Sequence, residues 1–176
     1  GTSTRGGSTI TQQVVKNMTG DNEVTIKRKV TEIFRALRLE KNYSKEEILE
    51  TYFNKVYFGN GCNGIEAAAE GYFGKTVGEL SIAEAQFPYK YDPSRGDWYR
   101  EQNKERQLTV LYKMHELGKI SDEEYEQAKV EPLVFSWDPG FVPSAGVASR
   151  VDTASSTEYD SYFVERMFND IVADMH

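Results

Sequence analysis

Arg5-Gly-Gly-Ser-Thr-Ile-Thr-Gln-Gln-Val-Val-Lys-Asn17 is read together with Arg28-Lys-Val-Thr-Glu32 a few turns later. In the first stretch the glycines let the backbone turn sharply or approach a ligand closely, and Ser8 and Thr9 then supply the N-cap of a helix. That helix has Ile10, Val14 and Val15 to bury and carries Gln12, Gln13 and Lys16 as a polar surface. In the second stretch Arg28 and Glu32 stand four apart and Lys29 and Glu32 three apart, so two cations and one carboxylate share one side of a second helix. Such a trio suits an anionic leaving group.

Outward from this pair the chain reads as a succession of helices. The first covers about residues 8–18 and ends at the Gly20-Asp-Asn turn. The second, about 24–42, aligns Ile26, Val30, Ile33, Phe34, Leu37 and, at its margin, Leu39 along an apolar face and leaves Arg28, Lys29, Glu32 and Arg35 to its other sides. Ser44-Lys-Glu-Glu47 is a capping box that starts a third helix, with Ile48, Leu49, Tyr52, Phe53 and Val56 to bury, and Gly59-Asn-Gly61 stops it. On it Glu50 and Asn54 lie four apart, either as part of a polar network at a site or as a pair bracing the fold. Residues 63–73 read as a short Ala-rich helix, and Ser81-Ile-Ala-Glu84 is a further capping box. An amphipathic helix over 97–117, closed by Gly118, precedes one capped by Ser121-Asp-Glu-Glu124. Gly, Pro, Ser and Ala make 136–157 a loop or linker, and a terminal helix over 158–176 repeats Tyr159, Phe163, Met167, Ile171 and Met175 every fourth residue. The expected fold is mainly α, with little or no sheet.

With 176 residues the chain can bury a real core, and its apolar and charged fractions, 39% and 28%, are those of a globular domain. No apolar run is long enough to cross a bilayer, so the chain as given is expected to be soluble. The net charge of −7 is unevenly spread: residues 1–45 carry +5 and the rest −12. An acidic protein with a basic front third is a poor partner for nucleic acid but can hold a localised phosphate or anionic head group. Cys62 is alone, which excludes an intrachain disulfide and a cysteine-rich metal site, and His115 and His176 have no partner at ligand spacing.

Gly6-Gly-Ser-Thr-Ile-Thr-Gln-Gln-x-x-Lys-Asn17, then Arg28-Lys-x-x-Glu32, then Ile48-Leu-Glu-Thr-Tyr-Phe-Asn54 resemble, in order and spacing, three successive motifs of the peptidoglycan glycosyltransferases (family 51), the polymerase domain of class A penicillin-binding proteins. Val56-Tyr-Phe-Gly-Asn-Gly61 and Gly64-Ile-Glu-Ala-Ala-Ala-Glu-Gly-Tyr-Phe-Gly74 continue the likeness. The resemblance implies a lysozyme-like multi-helix domain. It places a glycosyltransferase core in 1–135 and makes 158–176 the helix leading towards a transpeptidase domain, of which no Ser-x-x-Lys or Lys-Thr-Gly is found here. Two departures stand out. The earlier family motif, with its acidic residue and histidine, is not in this chain, as though the domain were truncated at its N-terminus. The Leu-Ser-x-Ala-Glu-Ala helix also passes at Ala85-Gln86 almost directly into Phe87-Pro, by deletion or by a join in the sequence.

The resemblance also implies the chemistry. Lipid II is polymerised into glycan strands with release of undecaprenyl diphosphate, at the outer face of the bacterial cell membrane in the full-length parent. Charge grows on the departing diphosphate, so cations aimed there matter most. Lys16, Arg28 and Lys29 are the residues for that role, with Thr9, Gln13, Asn17 and Asn54 as neutral substrate contacts and Glu32 as the catalytic carboxylate that assists at the diphosphate or orients Arg28 and Lys29. Ordinary surface ion pairing is the competing reading of Glu32. No protein metal site and no organic cofactor are implied; a divalent cation, magnesium or manganese, is a possible companion of the diphosphate. The implied partners are lipid II, the growing glycan chain, moenomycin-type inhibitors and, for the parent, the cytoplasmic-membrane surface. Without the upstream acidic motif this chain is expected to bind substrate yet be weak or inactive in catalysis. Two alternatives stay open: a lysozyme-like glycan hydrolase and a non-catalytic substrate-binding or docking module.

Overall fold

A computed structural model of the chain describes residues 7–20, 25–85, 96–151 and Met167. Its described residues are helical, with seven α-helices and no strand; an isolated bridge between Tyr57 and Asn63 is the extent of sheet pairing among them. The expectation of a mainly α chain holds. The chain divides into two compact units, 1–56 with 156–176, and 57–155.

The first unit is built on α1 (Ile10–Thr19), α2 (Ile26–Asn42) and α3 (Lys45–Lys55). Each start has a chemical cause. Thr9 accepts a hydrogen bond from the Gln12 amide, Thr25 from that of Arg28, and Ser44 and Glu47 form the expected reciprocal capping box. Gly20 ends α1 in the left-handed conformation, and Tyr43 ends α2 by turning extended. Val14 and Val15 of α1 pack with Ala36, Leu39, Tyr43, Ile48 and Met167. Burying side chains of this size contributes about 1.5–3 kcal/mol each, which makes this cluster the main hold on α1. Thr11 Oγ1 adds a 2.7 Å hydrogen bond to Glu40 on α2.

Here one expectation is corrected. Of the apolar stripe of α2 Leu39 alone faces the core: Ile26, Val30, Ile33, Phe34 and Leu37 are all exposed, and the buried face is Glu32, Ala36 and Leu39. Periodicity identifies two unlike faces but not which one a neighbour covers. The short side chain of Ala36 admits the valines of α1, and the ion trio on the same side finds polar partners there. Ile10 and Phe53, expected to be buried, are likewise exposed.

The second unit holds α4 (Ile65–Phe73), a 3₁₀ turn (Val77–Glu79), α5 (Gly96–Glu116), α6 (Asp122–Val130) and α7 (Ala145–Val151). Tyr72 and Phe73 pack with Cys62, Ala68 and Phe135, the Phe73 and Phe135 rings stacking at 5.5 Å. A second cluster joins Ala83, Leu111, Ile120 and Ala128, where the fully buried Gln107 amide donates to the Ala83 carbonyl at 2.9 Å. Ser121 and Glu124 form their capping box, and so do Ser81 and Glu84, although a turn follows the latter. The stretch read as loop or linker is fastened to α4: Ser136 N–H donates to the Tyr72 carbonyl and Ser144 N–H to that of Gly74, both at 2.8 Å, and α7 falls inside it. The junction at Gln86 and, apart from helical, fully buried Met167, the terminal helix over 158–176 lie outside the described residues. Among the described residues no helix is long and apolar enough to cross a membrane.

Candidate functional site

The site forms where the first turns of α1 and α2 meet. Thr9 takes the capping position, and this leaves the Ser8 hydroxyl one residue earlier to accept from Lys29 Nζ at 3.1 Å. Gln12, one turn further on, accepts from the same ammonium through Oε1 at 3.1 Å. Lys29 also donates to Glu32 Oε1, so all three of its N–H bonds have acceptors. Arg28 Nη1 holds the other oxygen, Glu32 Oε2, at 2.6 Å. The carboxylate is therefore clamped from both sides, each of its oxygens by a different cation.

Glu32 is 5% exposed, whereas the Arg28 and Lys29 side chains are 20% and 40% exposed. The asymmetry separates their tasks: the carboxylate is inside and the cations present themselves to solvent. Burial pushes the Glu32 carboxyl up, but the hydrogen bonds from Lys29 and Arg28 and the charges behind them outweigh it and hold it below its ordinary value of 4.5. Because the folded value is the lower one, the stabilisation is present above the unfolded value and is lost as pH falls through the folded one. The protection factors of the α2 amides, corrected for intrinsic exchange, are therefore expected to fall on acidification below about pH 4.5, and Glu32→Gln to flatten that dependence. An unchanged pH profile in the variant would refute the clamp.

The site is also electropositive through its backbone. Neither α1 nor α2 has an acidic residue in its first turn, so the positive ends of the two helices are not offset locally. Lys16 is exposed and follows Gln12 by one turn on the same side of α1.

Of the residues expected from sequence, the structure brings together Arg28, Lys29 and Glu32. Thr9 is at the same helix start but serves as the cap. No hydrogen bond or ion pair among the described residues links Gln13, Lys16, Asn17 or Asn54 to the trio, and Glu50 and Asn54 form no pair there. Ser8 and Gln12 are partners of Lys29 that the sequence reading did not select, and Thr11 with Glu40 is a tie between helices that it did not foresee. The recurrence Ser8, Gln12, Lys16 every fourth residue was the available signal. Among the described residues no three His, Cys, Asp or Glu side chains cluster as metal ligands.

The transglycosylase family model matches residues 1–115. Penicillin-binding protein 1A of Aquifex aeolicus (strain VF5) is 43% identical over 136 residues, 73% of this chain and 18% of that protein. Penicillin-binding protein 1A/1B of Bacillus subtilis (strain 168) is 40% identical over 174 residues, 94% of this chain and 18% of that protein. The chain thus spans about a fifth of these curated relatives. The crystal structure of penicillin-binding protein 1A from Haemophilus influenzae superposes with a TM-score of 0.46 at 25% identity, over 89% of this chain and 21% of that one.

Proposed function

The chain belongs to the transglycosylase family, and from that membership we propose that it carries the donor-diphosphate site of a peptidoglycan glycosyltransferase. The reaction moves a sugar of lipid II from its diphosphate to a hydroxyl of the acceptor and releases undecaprenyl diphosphate, at the outer face of the cytoplasmic membrane. The observation that carries the reading is the pair of solvent-facing cations, Arg28 and Lys29, anchored on one buried carboxylate at the junction of two helix N-termini. Fixed positive charge placed where negative charge develops is the form of stabilisation this reaction needs.

Glu32 acts in this scheme by holding the cations in place. A carboxyl kept ionised by two cations is unsuited to be the general acid that glycoside hydrolysis requires, which weighs against the hydrolase alternative. Lys29 can turn towards a phosphate oxygen by giving up a neutral acceptor, Ser8 or Gln12, while it keeps Glu32. Arg28 supplies a planar guanidinium suited to a phosphate edge, and Lys16 adds charge along the same side. A magnesium or manganese ion would be held by the diphosphate itself, since Glu32 is already engaged on both oxygens.

Titration calorimetry with farnesyl diphosphate tests the reading, with farnesol as the neutral control. Binding is expected to require the diphosphate and to weaken about tenfold in Arg28→Ala and again in Lys29→Ala, roughly the loss of one charge-assisted hydrogen bond. A moenomycin-type inhibitor is expected to follow the same pattern. Equal binding of farnesol, or indifference to both substitutions, would reject the assignment.

A further inference from the structure

The second unit has a pocket of about 260 Å³ that the diphosphate site does not use. It lies between α5 and the segment that leaves α6, and neither Arg28 nor Lys29 lines it. Arg100 and Lys104, one helical turn apart on the same side of α5, give it cations, while Leu133 and the buried Phe135 give it apolar surface. Lys104 has a structural task there. Its Nζ donates to the Gln107 side chain and to the Lys129 carbonyl, one of the last carbonyls of α6 that no helical amide reaches, both at 2.7 Å. The third N–H bond of this half-buried ammonium has no acceptor among the described residues. Burial holds the ammonium below its ordinary value of 10.5, and the nearby charge of Glu131 opposes that. Lys104 is a cation short of negative charge.

Arg100 is held differently. Its Nη2 pairs with Asp138, whose other oxygen accepts from the Phe135 N–H at 2.9 Å, and its guanidinium carbon lies over the Phe135 ring, 5.4 Å from the centre. One nitrogen of the guanidinium is engaged, and the remaining N–H donors of the fork are left for a ligand. Lys129, the third cation of the lining, is already engaged by both oxygens of Glu126. The pocket therefore offers two adjacent cationic donors beside aromatic and aliphatic carbon. A doubly charged anion would also meet the carboxylates of Glu131 and Asp138, whereas a single negative charge is matched by Lys104.

We propose that this pocket binds a small organic monocarboxylate, its two oxygens on Lys104 and Arg100 and its hydrocarbon body on Leu133 and Phe135. Ligand pockets usually span about 300–1,000 Å³, so the volume limits that body to one ring or a branched chain of similar size.

Phenylacetate is the probe, with 2-phenylethanol as its uncharged counterpart and inorganic phosphate as an anion without a hydrocarbon body. Amide shifts in ¹H–¹⁵N spectra of the chain follow the titration. Phenylacetate is expected to shift the amides of 130–135 saturably, and to bind about tenfold more weakly in Lys104→Met and in Arg100→Met, the loss of one charge-assisted hydrogen bond in each. Lys104→Arg keeps a donor and a charge and should retain most of the affinity. The same spectra show whether each variant is folded. Should Lys104→Met disturb the end of α6, Arg100→Met still decides, because Arg100 lies on the surface with 45% of its side chain exposed. Equal shifts from 2-phenylethanol, displacement of phenylacetate by an equal concentration of phosphate, or indifference to Arg100→Met would overturn the proposal. So would shifts confined to the amides around Arg28 and Lys29. No diphosphate is present, so this site and the farnesyl diphosphate site can each fail alone.

Discussion

Replacing Arg28 and Lys29 together by methionine is expected to destabilise the first unit by about 3–5 kcal/mol, far more than the two single replacements added together. The reason lies in the geometry of Glu32, which is 5% exposed and has one cation on each oxygen. Either single variant leaves the carboxylate one charged partner and is expected to cost about 1 kcal/mol. The double variant leaves a buried carboxylate with none, and the cost becomes that of an uncompensated charge. Methionine keeps the stems, so packing changes little. Adding Glu32→Gln to the double variant removes the charge and is expected to return most of the loss. Both tryptophans, Trp98 and Trp137, belong to the other unit, so fluorescence is blind to this transition; amide hydrogen exchange along α2 reads it. Additive singles, or a triple variant no better than the double, would show that Glu32 is an ordinary surface partner.

The same residues show what a sequence can and cannot disclose. The trio was legible because spacing of three and four on a helix fixes which side chains meet, whatever surrounds them. Helix ends were legible for a similar reason: Ser44 with Glu47 and Ser121 with Glu124 satisfy local amides, and no distant residue is needed to make them caps. The covered face of α2 was not legible. Ile26, Val30, Ile33, Phe34 and Leu37 form the stronger apolar stripe, yet Leu39 at its margin and the unselected Ala36 are the ones in the core, because burial is decided by where α1 lies. Lys29 illustrates the same limit at the site. Its bond to Glu32 spans three residues and could be read, whereas its bonds to Ser8 and Gln12 span 21 and 17 and depend on Thr9, rather than Ser8, taking the cap.

The second unit contains a position where backbone and packing combine against any side chain. Gly74 caps α4 with φ +55 and donates its amide back to Glu70 at 2.9 Å. A Cβ placed there would lie 2.3 Å from Phe141 Cζ and 3.3 Å from Pro143 Cα. The ring can yield, but the Pro143 backbone is tied in place because the neighbouring Ser144 N–H donates to the Gly74 carbonyl. Gly74→Ala is therefore expected to cost about 3 kcal/mol, with about 1–2 from the left-handed backbone and the remainder from overpacking. Gly118 provides the comparison: it ends α5 at φ +64 with nothing within 4 Å of its Cβ position. Gly118→Ala should thus show the backbone cost alone, about 1 kcal/mol. Urea unfolding followed by Trp137 fluorescence is suited to both, since that indole packs on Phe135 at 4.7 Å within the same cluster. Adding Phe141→Leu to Gly74→Ala should recover the share of the overpacking that the ring imposes and leave the Pro143 contact and the backbone part. Equal losses at Gly74 and Gly118 would mean that the 136–144 stretch gives way freely and does not brace α4.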